Sequence, residues 1–337
     1  LIPVLKKITA EWQIREAAPH GVKLHGQKMV DLIFLGTGSA TPTSHRNLSG
    51  TALLRQGEIF LFDCGEGTQV QFRRAGLKPG KLRYIFISHF HGDHLFGLPG
   101  LLTSLQMANL RQEVHLFGPK GIAAYIRFHQ TLCGFGFDFV LHIHEIEPNS
   151  PEIIWQAPDY RIAWQPLQHR IFTLGFALIE APRPGKFDAQ RAEALGVPHG
   201  PERGRLQSGE SIVLANGTQI HSEQVLGPPR PGVKIAYCVD TSPCAGQERL
   251  AQNADALIAD STFPASEQEW AHQTGHSTAK DAAETAQRCG VRQLFLTHFS
   301  GAIGPTEFPL LQEEAAAIFP DTIAATDLAR FKILPRQ

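Results

Sequence analysis

Six consecutive residues carry the densest chemistry in the chain. His89-Phe90-His91-Gly92-Asp93-His94 offers three imidazoles and one carboxylate within a single turn. Imidazole nitrogen and carboxylate oxygen are the donors that borderline divalent cations take, and Gly92 permits the tight backbone that aims them inward. Side chains two apart on an extended segment share a face, so His89 and His91 can reach one ion while Asp93 and His94 turn toward a second. The spacing predicts a dinuclear centre.

Such a turn needs rigid elements around it. Residues 84–87 (Tyr-Ile-Phe-Ile) form the continuously apolar run expected of a strand covered on both faces, and they deliver the turn directly. Upstream, 31–35, 51–54 and 58–62 read as strands and 68–75 as a helix. Downstream come a helix through Leu105, a strand at 114–117, a helix near 119–132, and strands near 138–146, 161–168 and 174–180. The core resumes with strands at 233–239, 256–259 and 293–296, helices at 277–289 and near 306–318, and a last strand near Ile323. Ser277 or Thr278 caps the helix at 277–289. Strands and helices alternate in two halves, which predicts sheets covered by helices in a layered α/β fold. Between 182 and 232 the texture changes: seven prolines punctuate a stretch that reads as an inserted arm, with a short helix at 189–195 and a strand at 211–214.

The 337 residues, 42% hydrophobic and 19% charged, provide a large core and exclude a stapled miniprotein or a disordered chain. Lys and Arg number 31 against 32 Asp and Glu, so any nucleic-acid partner must be held by local patches rather than by an overall positive field. The arm sets Arg183, Lys186, Arg191, Arg203 and Arg205 against Asp188, Glu193, Glu202 and Glu210, a thin excess of positive charge. Five scattered cysteines without a C-x-x-C read as buried thiols in a reducing compartment. No apolar run has the length of a membrane helix or signal-peptide core, so a soluble cytoplasmic protein with no membrane partner is expected. The first Met is Met29; residues 1–30 are expected as an extension outside a core domain at 31–331.

The H-x-H-x-D-H run resembles the signature of the metallo-β-lactamase superfamily. That resemblance implies an α/β fold of the αββα type, two mixed sheets flanked by helices, with the metal site at one edge and here with an inserted arm. It also implies further ligands downstream, for which His169, Asp240 and His298 stand in the right order at the ends of expected strands. By that likeness His89, His91 and His169 hold one Zn2+, Asp93, His94 and His298 hold the other, and Asp240 bridges both. His142-x-His144 also puts two imidazoles on one strand face, but no Asp-His follows and it reads as sheet surface. Gly36-x-Gly38 lacks the third glycine of a dinucleotide fingerprint, so no nucleotide cofactor is expected.

Residues 31–331 are further similar to the ribonuclease Z family. The segments that carry this are Phe34-Leu35-Gly36-Thr37-Gly38, Pro42-Thr43-Ser44-His45-Arg46-Asn47, Phe62-Asp63-Cys64-Gly65-Glu66-Gly67-Thr68-Gln69 and Gly97-Leu98-Pro99-Gly100-Leu101-Leu102, with Gly118-Pro119-Lys120-Gly121, His276-Ser277-Thr278 and Leu296-Thr297-His298. The resemblance implies a zinc-dependent endoribonuclease that removes the 3′ trailer from precursor tRNA, working as a homodimer whose arm grips the RNA. It makes Asp93 a proton acceptor as well as a ligand, and His276, oriented by Asp260, the donor to the leaving group. It makes Pro42, Arg46, Asn47, Gly200 and Pro201 substrate contacts. Arylsulfatases and small phosphodiesterases share the fold, but they do not need the arm. Two positions depart from the family pattern. Ser44 stands where a Lys is usual, and Asp260 stands where a Glu is usual, with a shorter reach.

Overall fold

Strands buried on both faces dictate the architecture. The computed structural model describes residues 29–304 and 306–336; residues 1–28 of the expected extension lie outside the described residues. The first half of the chain supplies β1 (Val30–Gly36), β2 (Gly50–Arg55), β3 (Glu58–Phe62), β4 (Leu82–Phe86), β5 (Val114–Pro119) and β6 (Leu141–Ile146). The second half supplies β7 (Ile153–Gln156), β8 (Tyr160–Leu167), β9 (Thr173–Glu180), the short β10 (Ile212–Val213) and β11 (Gln219–Ile220), then β12 (Lys234–Cys238), β13 (Ala256–Asp260), β14 (Leu294–Thr297), β15 (Thr322–Ala324) and β16 (Arg330–Ile333).

One seven-stranded sheet runs β16-β1-β2-β3-β4-β5-β6 and the other β15-β14-β13-β12-β9-β8-β7. Each mixes an antiparallel part with a parallel part, β3 to β6 in the first and β12 to β15 in the second. Residue alternation builds the layers. In β13, Ile258 joins the aromatic core between the sheets, with Phe34, Phe62, Phe86, Phe176 and Phe295, while Leu257 and Ala259 face the helices outside. Helices α1 (Thr68–Arg74), α2 (Gly92–Leu95), α3 (Leu98–Met107) and α4 (Ile122–Cys133) belong to the first half. The arm contributes α5 (Ala189–Ala194) and α6 (Pro201–Gln207), and the second half α7 (Ala245–Ala251), α8 (Gln268–Thr274), α9 (Ala279–Arg288) and α10 (Phe308–Ala316). The result is the αββα sandwich with its arm.

Several details correct the sequence reading. The stretch after the metal turn is two helices, with Gly97 N–H donating to Cys64 O at the break. Its leucines Leu95, Leu98, Leu101, Leu102 and Leu105 are buried core, whereas Phe96 and Met107 point out. The last strand is β16, not the one near Ile323; it closes the first sheet by pairing antiparallel with β1. Of the thiols, Cys64, Cys238 and Cys289 are buried, whereas Cys133 is exposed. The arm stands on a two-stranded stalk, Arg183 opposite Arg230 and Phe187 opposite Leu226. It has a small core of its own from Ala192, Val197, Leu206, Ile212, Ile220 and Val225.

Candidate metal centre

Parallel strands deliver their carboxyl ends to one edge, and the expected ligands follow those ends. His89 comes three residues after β4, Asp240 two after β12, and His298 directly after β14. β8 is antiparallel to β9, itself antiparallel to β12, so β8 also ends at this edge and presents His169. All seven side chains meet there.

They form two sets that share Asp240. In the first, His89 Nε2 lies 3.0 Å from His91 Nδ1 and 3.4 Å from Asp240 Oδ2, and His169 Nε2 lies 3.3 Å from His91 Nδ1 and 3.7 Å from Asp240 Oδ2. In the second, His94 Nε2 and His298 Nε2 are 3.1 Å apart, each 3.4 Å from Asp93 Oδ2, and 3.2 and 2.9 Å from Asp240 Oδ1. Ligands about 2.0–2.1 Å from a tetrahedral cation are separated from one another by roughly 3.3 Å, so both sets have the spacing of a cation cage. Asp240 Oδ1 is buried and, despite two nearby nitrogens, has no partner in hydrogen-bond geometry among the described residues. A buried carboxylate oxygen orphaned between imidazoles is what a missing cation would satisfy.

The second ring nitrogens of His89, His94, His169 and His298 are tied down, as metal-binding histidines require. His169 Nδ1 donates to Gly275 O at 2.7 Å, which leaves Nε2 as the lone pair. Gly275 has φ 80°, and a Cβ there would stand 2.8 Å from His169 Nδ1, so only glycine fits. His94 Nδ1 meets Asp63 Oδ2 at 2.7 Å, His298 Nδ1 meets Thr262 Oγ1 at 2.9 Å, and His89 Nδ1 meets Ser88 Oγ at 2.9 Å. Asp93 Oδ2 accepts from Ala40 N–H at 2.7 Å. Asp63, Asp240 and His298 adopt left-handed backbone, with φ of 57°, 53° and 64°, strain concentrated at the centre.

Electrostatics divides the two sets. Burial, with the neighbouring His94, pushes His89 down to about 4 and burial also lowers His91 and His169, so these three present lone pairs at neutral pH. Burial works against the charged form of His298 too, but Asp240 and Asp93 raise it to about 10. Burial likewise disfavours ionised Asp240, yet His298, His94 and His89 hold its carboxyl well below the usual range. The second set demands positive charge.

Comparison with known proteins gives the same picture. The family described as Beta-lactamase superfamily domain matches residues 210–299, and that described as Anti-Pycsar protein Apyc1 matches residues 30–135. The chain is 42% identical to Ribonuclease Z of Acaryochloris marina over 91% of its own length and 98% of that protein's. It is 42% identical to Ribonuclease Z of Salinibacter ruber over 91% and 96%. The chain belongs to the ribonuclease Z family. Human tRNase Z, short form, superposes with TM-score 0.66 at 27% identity, covering 90% of this chain and 99% of that one. The fold is therefore that of the metallo-β-lactamases, and the family's general activity is that of a hydrolytic endoribonuclease of tRNA processing.

Beside these two sets stands His276, half-buried, its ring 5.5 Å from that of His298 and 4.9 Å from that of His169. Asp260 Oδ2 accepts from its Nδ1 at 2.9 Å, so the shorter carboxylate spans the gap. Asp260 is itself fixed, accepting from Thr241 N–H, Thr262 N–H and Thr262 Oγ1. Thr278, two residues after His276, is the N-cap of α9: its Oγ1 accepts from Asp281 N–H while Asp281 accepts from Thr278 N–H. Ser277 instead donates to Thr241 O.

The expected substrate contacts fall outside the cage. Pro42 is exposed on the loop that follows Ala40. Arg46 has its guanidinium 4.5 Å from the Phe308 ring and 5.1 Å from that of Phe299, and it donates to Ile303 O. Asn47 donates through Nδ2 to Glu66 O. Gly36 packs against this loop: a Cβ there would lie 1.9 Å from Leu48 O. Gly200 and Pro201 are exposed where α6 begins in the arm. Sequence reasoning gave no separate role to Asp63, Thr262 or Tyr237, whose hydroxyl donates to Asp63 Oδ2 at 2.8 Å. Asp63 stands in the quoted Phe62-Asp63-Cys64-Gly65 segment; a buried Asp at a strand end beside a metal motif was the available signal.

Proposed function

We propose that this chain is a zinc-dependent endoribonuclease that cuts the 3′ trailer from precursor tRNA, leaving a 3′-hydroxyl on the tRNA and a 5′-phosphate on the trailer. The observation that carries the reading is the pair of ligand sets sharing Asp240 in a chain of the ribonuclease Z family. His89, His91, His169 and Asp240 would hold one cation, and Asp93, His94, His298 and Asp240 the other. Two cations held there supply Lewis-acid charge to the scissile phosphodiester and to the attacking water.

The chain's own groups do the rest. Asp93, fixed by Ala40 N–H, is positioned to accept the proton of the water as its oxygen bonds to phosphorus. The P–O3′ bond breaks and the ribose oxygen takes a proton, for which His276 is the donor. With Nδ1 committed to Asp260, Nε2 is the nitrogen left to face the leaving group. Positively charged side chains on the arm, Lys186 and Arg191, are exposed and suited to phosphate contacts. Arg205, paired with Glu210 at 3.1 Å, and Arg203, donating to Val197 O, serve the arm itself. The reading extends to the RNA contacts at Pro42, Arg46, Asn47, Gly200 and Pro201, to a homodimer, and to action in the cytoplasm. The family resemblance supports these.

The test is incubation with a 3′-extended precursor tRNA, with and without chelator, and mapping of the cut. The reading expects a single endonucleolytic cut with those termini, lost on chelation and restored by Zn2+. Cleavage indifferent to chelator would defeat it.

A further inference from the structure

Away from the cleft, a second group of histidines gathers at the open edge of the sandwich, where β6 ends one sheet and β7 the other. His142 and His144 share a face of β6. The parallel register of β5 sets His115 opposite His142 and Phe117 opposite His144. Phe117 belongs to the core between the sheets, so this histidine face looks inward, not out to the helices as a plain sheet surface would. Trp155 on β7 covers it from the other sheet, its ring 4.4 Å from that of His115.

The geometry points to a separate site for a borderline divalent cation such as Zn2+, held by Glu113, His115 and His142. One donor atom from each of these three lies within 4.8 Å of the other two, and Glu113 Oε2 is already 3.1 Å from His142 Nε2. The rings of His115 and His142 stack with centroids 4.7 Å apart, so their shared edge, which Glu113 reaches, is the place for the ion. His115 Nδ1 lies 3.1 Å from His144 Nε2, a contact that fixes the His115 ring from behind, as the ligands of the central cleft are fixed. Burial, reinforced by His142 and His144, pushes His115 down to about 4, so its ring is neutral at physiological pH and has a lone pair to give. Two imidazoles and one carboxylate select zinc, nickel or copper over calcium or magnesium, which take oxygen. Glu113 and His142 are solvent-exposed at 64% and 40% of their side chains, which leaves an open side for water or an exogenous ligand. An ion there would clip β5 to β6 at the sheet edge.

The experiment is equilibrium dialysis of the full chain against Zn2+, comparing the natural sequence with His115→Ala/His142→Ala. The readout is a difference, so it does not depend on how many ions the central cleft holds. The natural chain is expected to bind one more ion than the double variant, with precursor cleavage retained as proof that the variant folds. A second readout uses Cu2+, a quencher, against tryptophan fluorescence. Loss of a Trp155 contribution, identified with Trp155→Phe, is expected on Cu2+ addition to the natural chain and not to the double variant. Equal ion counts in the two proteins, or quenching of Trp155 that survives the double substitution, would overturn the proposal.

Discussion

The cleft and the arm are built on opposite terms. In the cleft five of the seven candidate ligands are anchored a second time: His89 by Ser88, His94 by Asp63, His169 by Gly275, His298 by Thr262 and Asp93 by Ala40. Asp63 and Thr262 come just after strands buried on both faces, β3 and β13, so little can move there. The arm has a six-residue core on a two-stranded stalk, and its cationic groups are exposed or turned upon the arm itself. On the proposed function, the contrast separates a preorganised reaction centre from a holding device that acts through charge and reach. Chemistry requires placement to a fraction of an ångström; gripping a phosphate backbone does not.

The largest expected effect comes from the shared carboxylate. Asp240→Ala removes a donor from both sets and should lower kcat/KM by on the order of 10³-fold or more, because several kcal/mol of charge stabilisation go with it. Both precursor tRNA and bis-p-nitrophenyl phosphate should suffer alike. Next, His276→Ala should cost about 10²–10⁴-fold in kcat, the range for general acid catalysis, with metal content unchanged. A mere helix-terminal role would leave kcat near its natural value. Removing the arm, residues 186–227, sharpens the contrast most. If Lys186 and Arg191 are lost to the RNA at about 1.5 kcal/mol each, precursor cleavage falls roughly 100-fold. Hydrolysis of bis-p-nitrophenyl phosphate should stay unchanged, and an equal loss for both substrates would erase the distinction between cleft and arm. Asp63→Asn should weaken metal affinity by about 10–100-fold, measured by competition with a chelator. Smallest is Ser44→Lys, which adds a cation to the exposed 42–47 loop. The slope of log affinity against log salt should steepen by about 0.7–0.9, the share of one phosphate contact.

Legibility in the sequence followed the same divide. The cleft was readable because its ligands sit in a dense motif and at the ends of apolar runs, where parallel strands must converge. The fold class followed from those runs and from the resemblance they carry. What escaped depends on distant pairing or on weak local pattern. β16 is a four-residue edge strand that finds β1 nearly the whole chain away, and nothing in Arg330–Ile333 announces its partner. α7 is capped by Cys244 Sγ, which accepts from Gln247 N–H, a residue type rarely read as a cap. The cross-strand approach of His115 to His142 required the register of β5 and β6, which one strand's sequence cannot supply.

The central claim is that seven side chains from distant parts of the chain hold two cations together. Metal content and precursor cleavage of His94→Ala, measured beside the natural chain, test it most directly, since His94 Nε2 belongs to only one set. The account predicts one fewer ion in the variant and loss of cleavage. Full cleavage at undiminished zinc content would contradict it.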